Sequence, residues 1–240
     1  MASKGTVIVT GGSQGIGAAV VKSFLDRGYA VVATSRNASK ASLPSSTNLE
    51  VVDGDIAKAA TAEEVTRMAI SRFGSIDHVV ANAGIFIAKP FIDFTPEDFH
   101  GLVSTNLEGF LYTTQLSVRQ MLSQGKGGSV TSITTSMVDN PNAAIPASVA
   151  MITKGGLTAA ILNLASEYAK NHIRFNAVAP GIVDTPMHKN NPKDFLKTLS
   201  PMGMISSSEE IAEAVLYLAE ARNVTGEVLH VDGGAHVGKW

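Results

Sequence analysis

The sequence predicts an α/β fold on one doubly wound parallel sheet, with seven strands in the order 3-2-1-4-5-6-7 and helices on both faces. Three observations carry that prediction. Short β-branched runs alternate along the chain with longer segments of helical periodicity. The strand candidates are apolar at successive positions, which suits strands covered on both sides. A glycine-rich turn joins the first strand candidate to the first helix candidate.

The elements follow in order. Strands are predicted over 7–9, 30–33, 49–52, 78–81, 129–133, 174–178 and 228–231, each short and bounded by Gly, Asn or Asp. Helices are predicted near 15–27, 61–73, 96–122, 147–169 and 208–220. Thr95 followed by Pro96, Glu97 and Asp98 supplies a cap, a first-position proline and acids in the first turn. Ser208-Glu209-Glu210 repeats that logic. The segment 37–48, rich in Ser, Ala and Pro, reads as a surface loop. The 240 residues fit one domain, 1–240, better than two small ones.

Composition excludes several classes. Charged residues are 17% against about 25% in an average chain, so general disorder is excluded. Nineteen Lys+Arg against 21 Asp+Glu give a net charge of -2, which supplies no basic field for a nucleic acid. With zero cysteines there is no disulfide, thiolate nucleophile or Cys-ligated zinc. The six histidines show no metal-ligand spacing, so no metal is expected. Of these, His78 and His172 read as surface residues at strand starts, and His230 and His236 flank the last strand. No export signal and no run of 18 apolar residues is seen, so no membrane partner and a cytoplasmic location are expected.

The turn Thr10-Gly11-Gly12-Ser13-Gln14-Gly15-Ile16-Gly17 carries the first functional signal. Gly11 permits the tight turn, Gly15 a close backbone approach to a pyrophosphate, and Gly17 close packing of helix on strand. The helix N-terminus then offers N–H groups and a positive dipole end. Strand before and helix after are the context that separates a dinucleotide cradle from a merely glycine-rich turn. The second strand ends Thr34-Ser35-Arg36 with no carboxylate to accept from a ribose 2′-hydroxyl. Arg36 can pair with a 2′-phosphate and Ser35 can hydrogen-bond it, so NADP(H) is the preferred cofactor, with NAD(H) the alternative.

Across nearly its whole length the chain resembles the short-chain dehydrogenase/reductase family, a Rossmann-type group. The motifs appear in order: 10–17, Asp55-Ile56, Asn82-Ala83-Gly84, Asn106, Lys154-Gly155-Gly156, Pro180-Gly181 and Val231-Asp232-Gly233-Gly234. The resemblance implies that Asp55 and Ile56 lie against the adenine. It implies that Asn82, Ala83 and Gly84 steady the sheet beside the cofactor, and that Pro180, Gly181, Ile182 and Thr185 lie against the nicotinamide. It implies a catalytic role for Asn106 and Lys154, a strand-end hydroxyl from Thr135 or Ser136 (Thr135 preferred), and a substrate loop over about 185–207. It also implies a homodimer or homotetramer, in keeping with the apolar helices at 96–122 and 147–169.

The departure is at the centre. The family pattern is Tyr-x-x-x-Lys, two side chains one helical turn apart. This chain reads Ala150-Met151-Ile152-Thr153-Lys154. By register none of Tyr29, Tyr112, Tyr168 and Tyr217 replaces the missing phenol. Ala150 is expected to leave a space beside the nicotinamide, with the proton coming from His188, from Lys154, or from a water held by Lys154, Asn106 and Thr135. The leading reading is an NADP(H)-dependent oxidoreductase acting on a small carbonyl, imine or other activated organic substrate. The alternative is an NADP(H)-binding module without redox activity, such as a sensor, partner subunit or non-redox catalyst.

Overall fold

The computed structural model describes residues 3–238. Its sheet has seven parallel strands in the order β3-β2-β1-β4-β5-β6-β7, as the sequence predicts. They are β1 (Thr6–Thr10), β2 (Ala30–Ser35), β3 (Leu49–Asp53), β4 (His78–Ala81), β5 (Gly128–Ile133), β6 (Ile173–Pro180) and β7 (Val228–Val231). The helices are α1 (Gly15–Asp26), α2 (Ala59–Phe73), α3 (Pro96–Val103), α4 (Gly109–Gln124), α5 (Ser148–Glu167), α6 (Lys193–Lys197) and α7 (Ser208–Glu220).

The central strand shows why the runs are apolar throughout. Val7 and Val9 of β1 join a core with Val20, Val21 and Phe24 of α1 and Ile211, Val215 and Leu218 of α7. Ile8, between them, joins the opposite core with Val65 of α2, Val118 and Met121 of α4 and Ile161 of α5. Successive residues of one strand thus bury in two layers. The chain winds outward from β1 to β3, then returns to β4 on the other side of β1. That reversal leaves a crevice outside the carboxyl ends of β1 and β4, the usual ligand position in such sheets.

Several expectations are corrected. The predicted 96–122 helix is three pieces, because a π-helical turn, Ser104–Glu108, separates α3 from α4 and turns Asn106 inward. The cap of α7 is Ser207: its hydroxyl accepts from the Glu210 amide and Glu210 accepts from the Ser207 amide, a capping box one residue earlier than read. Thr95 does cap α3, with Asp98 completing the box. His78 is only partly exposed. Its ring joins a cluster with Phe24 and Tyr29 and its Nδ1 meets Ser129 Oγ at 2.8 Å, and burial pushes the imidazole down to about 4. By length and composition α5 is apolar enough to cross a membrane, yet Ile161 and Ala165 pack it on the sheet.

Candidate active site

A cleft of about 1440 Å³ opens over the carboxyl ends of the strands. It is lined by Gly11, Ser13, Gln14, Gly15, Ile16, Gly17, Ser35, Arg36, Asp55, Ile56, Asn82, Ala83 and Gly84. Thr135, Ser136, Lys154, Pro180, Gly181, Ile182 and Thr185 complete the predicted set along its walls. Asn106 alone among the candidates does not line it.

The glycine turn has the shape of a cradle. Gly11 (φ 67°) and Gly15 (φ 53°) adopt left-handed backbone. A Cβ at Gly17 would stand 2.1 Å from the Gly11 carbonyl oxygen, so only glycine lets α1 pack on the turn. Gln14 at the N-cap makes no side-chain bond, which leaves the first-turn amides of α1 without a protein cap. Opposite, the Asn82 amide nitrogen donates to Thr10 O and Gly11 O at 2.9 and 3.1 Å, and the Asn82 and Ala83 backbone N–H groups both donate to Thr10 Oγ1. The segment 82–84 therefore locks the turn to β4.

At the far end of β2, Arg36 is exposed and faces the cleft with Lys40 beside it on the wall. Lys40 escaped the sequence reading because 37–48 looked like plain loop; a short 3-10 turn, Ala38–Lys40, brings it back. The nearby acid, Asp53, is spent on that turn, accepting from the Ser39 hydroxyl at 2.5 Å and the Ser39 amide at 2.8 Å. The Ser39 hydroxyl holds its carboxyl below the usual carboxylate range. Ser35 lines the cleft, but its hydroxyl is enclosed without a partner, so Arg36 and Lys40 are the groups presented there.

At the centre, Lys154 Nζ donates to Ile133 O at 2.7 Å, and burial pushes its amine down to about 8. Thr135, partly exposed, accepts from the Met137 amide at 3.3 Å and keeps its hydroxyl proton for the cleft. Ser136 is more deeply buried, which favours Thr135 of the two. Asn106 lies behind this wall. Its Oδ1 accepts from Ile85 N at 2.9 Å, and its Nδ2 donates to Ile85 O at 3.1 Å and Thr153 Oγ1 at 2.9 Å. It holds the Ile85 segment and α5 in register and has no donor left for a water.

The space expected at Ala150 is closed. Ala150 is fully buried in a cluster with Leu102, Ala147 and Val149, covered by Ile85, Phe86 and Met137. None of the four tyrosines lines the cleft, whereas His188, half-buried in the turn Pro186–His188, does. Sequence reading also missed the closing wall. Asn140 donates from Nδ2 to Ala235 O and Gly238 O at 2.7 and 3.0 Å. His230 and His236 stack at 3.8 Å, each against its own carboxylate, Asp139 and Asp232. The tail thereby closes the cleft against the 136–140 turn. Only the contact between distant segments reveals this. Among the described residues no cluster suited to a metal occurs.

Fold and cleft together define a dinucleotide-fold oxidoreductase class, and the comparisons agree. Residues 11–236 match the family model described as enoyl-(acyl carrier protein) reductase. The chain is 35% identical over 228 residues to carbonyl reductase family member 4 of Xenopus tropicalis, covering 94% of this chain and 95% of that protein. A 3-ketoacyl-(acyl-carrier-protein) reductase from Brucella melitensis, complexed with NADH, superposes with TM-score 0.91 at 26% identity, covering 98% and 99% of the two chains. ElxO with NADP bound superposes with TM-score 0.89 at 25% identity, covering 98% and 100%. The chain belongs to the short-chain dehydrogenase/reductase family of oxidoreductases.

Proposed function

We propose that this chain is an NADP(H)-dependent oxidoreductase of a small carbonyl, imine or other activated organic substrate, working without the family's tyrosine. The observation that carries the reading is one continuous cleft running from the uncapped start of α1 to the buried Lys154 amine and on into a further compartment. The glycine cradle fits a pyrophosphate, and Arg36 with Lys40 fits a 2′-phosphate in a place where Asp53 is already engaged. When bound, the cofactor supplies or takes up the hydride; the chain's own groups handle the proton.

Position 150 holds the slot of the family's tyrosine, one helical turn before Lys154. With alanine there, Lys154 is the proton donor that fits best. An amine held to about 8 is an acid matched to neutral pH, and Thr135 holds the acceptor atom. His188 is the other titratable group on that part of the wall. Asn106 acts through Ile85 and Thr153 as a positioning residue. We also propose that 1–240 is one catalytic domain, with 185–207 as its substrate loop. The cytoplasm is its setting, and exposed Leu111, Leu122, Ile152 and Leu162 on α4 and α5 serve a homodimer or homotetramer. A non-redox binding module is the second reading, favoured by the closed environment of Ala150.

The test is a fluorescence titration with NADPH and NADH beside NADPH-consumption assays on paired ketones and imines. Tighter NADPH binding with turnover of one member of the panel supports the enzyme. NADPH binding with no turnover of any member supports the module.

A further inference from the structure

The compartment beyond Lys154 has a chemical character of its own. Among the described residues lining the whole cleft, the charged ones are Arg36, Lys40, Asp55 and Lys154. The first three stand at the adenine end, and Lys154 is bonded to Ile133 O. Beyond it, the described walls carry no Lys, Arg, Asp or Glu. They are built instead from Phe86, Met137, Ile145, Ile182, Phe195 and Leu199.

Some of the polar side chains there are engaged already, while Thr135, Ser136, Thr185, His188 and Asn191 stay open to a ligand. Asn140 is tied to the tail. Asn142 Oδ1 accepts from Ala144 N at 2.9 Å, and Thr198 Oγ1 donates to Phe195 O at 2.6 Å. At the mouth, Met187 and Phe195 line the cleft while remaining 59% and 48% exposed. Such large apolar side chains, left half in water at a cleft rim, mark a site for an apolar ligand.

From this we infer that the substrate is neutral and apolar: a ketone or imine carrying an alkyl or aryl body, seated against Met137 and Phe195, with no carboxylate, phosphate or polyol. This rests on the redox reading above and narrows it. A carboxylate on the substrate's body loses its water where the described walls beyond Lys154 carry no Lys or Arg to receive it. A polyol would set hydroxyls against the apolar walls, and each one left unpaired there counts against binding. A methylene reaching the wall gains about fourfold in affinity by leaving water.

The test is calorimetric and needs no turnover. 1-Phenylethanol, its para-carboxylate and glucose are each titrated into the protein, alone and with NADP⁺, and NADP⁺ is titrated separately. We expect the neutral alcohol to bind at least about 30-fold more tightly than its carboxylate, with no glucose binding. Phe195→Arg should narrow that gap by tenfold or more. A carboxylate or glucose that binds as tightly as the alcohol, or an alcohol that does not bind at all, overturns the inference. An absence of NADP⁺ binding overturns the redox reading instead, and the ligand order is still read on the protein alone.

Discussion

Lys154, in the second turn of α5, donates its amine to the carbonyl oxygen of Ile133, the last residue of β5, at 2.7 Å. That bond pins the amine to the floor of the cleft and keeps it out of water, which depresses it to about 8. A lysine lowered in the folded state costs stability in full below pH 8. The cost fades as pH rises from about 8 toward the unfolded value near ~10.4, because there the unfolded chain alone still holds the proton. The stability of Lys154→Met relative to the parent should therefore fall by about 2–3 kcal/mol between pH 7 and pH 10.5. Chemical denaturation of both proteins across that range measures it, and a constant difference would show that the amine is not buried.

Arg36 governs the choice of cofactor in this account. One charge-assisted contact to a 2′-phosphate is worth about 1.5–3 kcal/mol. Arg36→Ala should thus erase most of a preference of about ten- to a hundredfold for NADPH, leaving NADH affinity nearly unchanged. Lys40→Ala should do the same to a smaller degree. Equal affinities of the parent protein for both cofactors would remove the basis for the assignment.

Ala150→Tyr separates a missing acid from a missing space. The phenol would have to enter a site already closed by Leu102, Val149 and the covering Met137. Overpacking of this kind costs about 1–3 kcal/mol, so the single variant should melt lower with no gain in ketone reduction. Pairing it with Met137→Ala opens room, and ketone reduction should then rise by up to about 10²-fold. A single variant that gains activity at unchanged melting temperature would mean that the slot is open.

Asn106→Ala should lose about 1–3 kcal/mol, because it strands the part-buried Ile85 N–H and C=O and frees Thr153. If Asn106 acts only by position, Asn106→Ala should lower turnover and shift its pH profile while keeping cofactor affinity. An unchanged pH profile with reduced affinity would move Asn106 into the binding site itself.

The parts of this molecule legible in sequence are those with local causes. Successive apolar residues in β1 announce burial on both faces, and the glycines at 11, 15 and 17 announce the cradle, because each constraint is met within a few residues. What escaped depends on distant partners. Ala150 reads as a gap beside Lys154, but Leu102, about fifty residues earlier, helps fill it. His78 reads as exposed, yet it clusters with Phe24 and Tyr29. The Asn140 tether to the tail, and the π-turn that draws Asn106 inward, leave no periodic trace in the sequence.

Deuterium transfer without a tyrosine tests Lys154 as the proton donor. A protein with Tyr29, Tyr112, Tyr168 and Tyr217 all changed to Phe is incubated with NADPH deuterated at C4, a neutral aryl ketone and the matching cyclic imine, and the products are weighed by mass spectrometry. Deuterium should appear on the reduced carbon at a rate within about twofold of the parent protein, and that transfer should be lost on Lys154→Met. Transfer that disappears with the tyrosines and survives Lys154→Met would contradict that role.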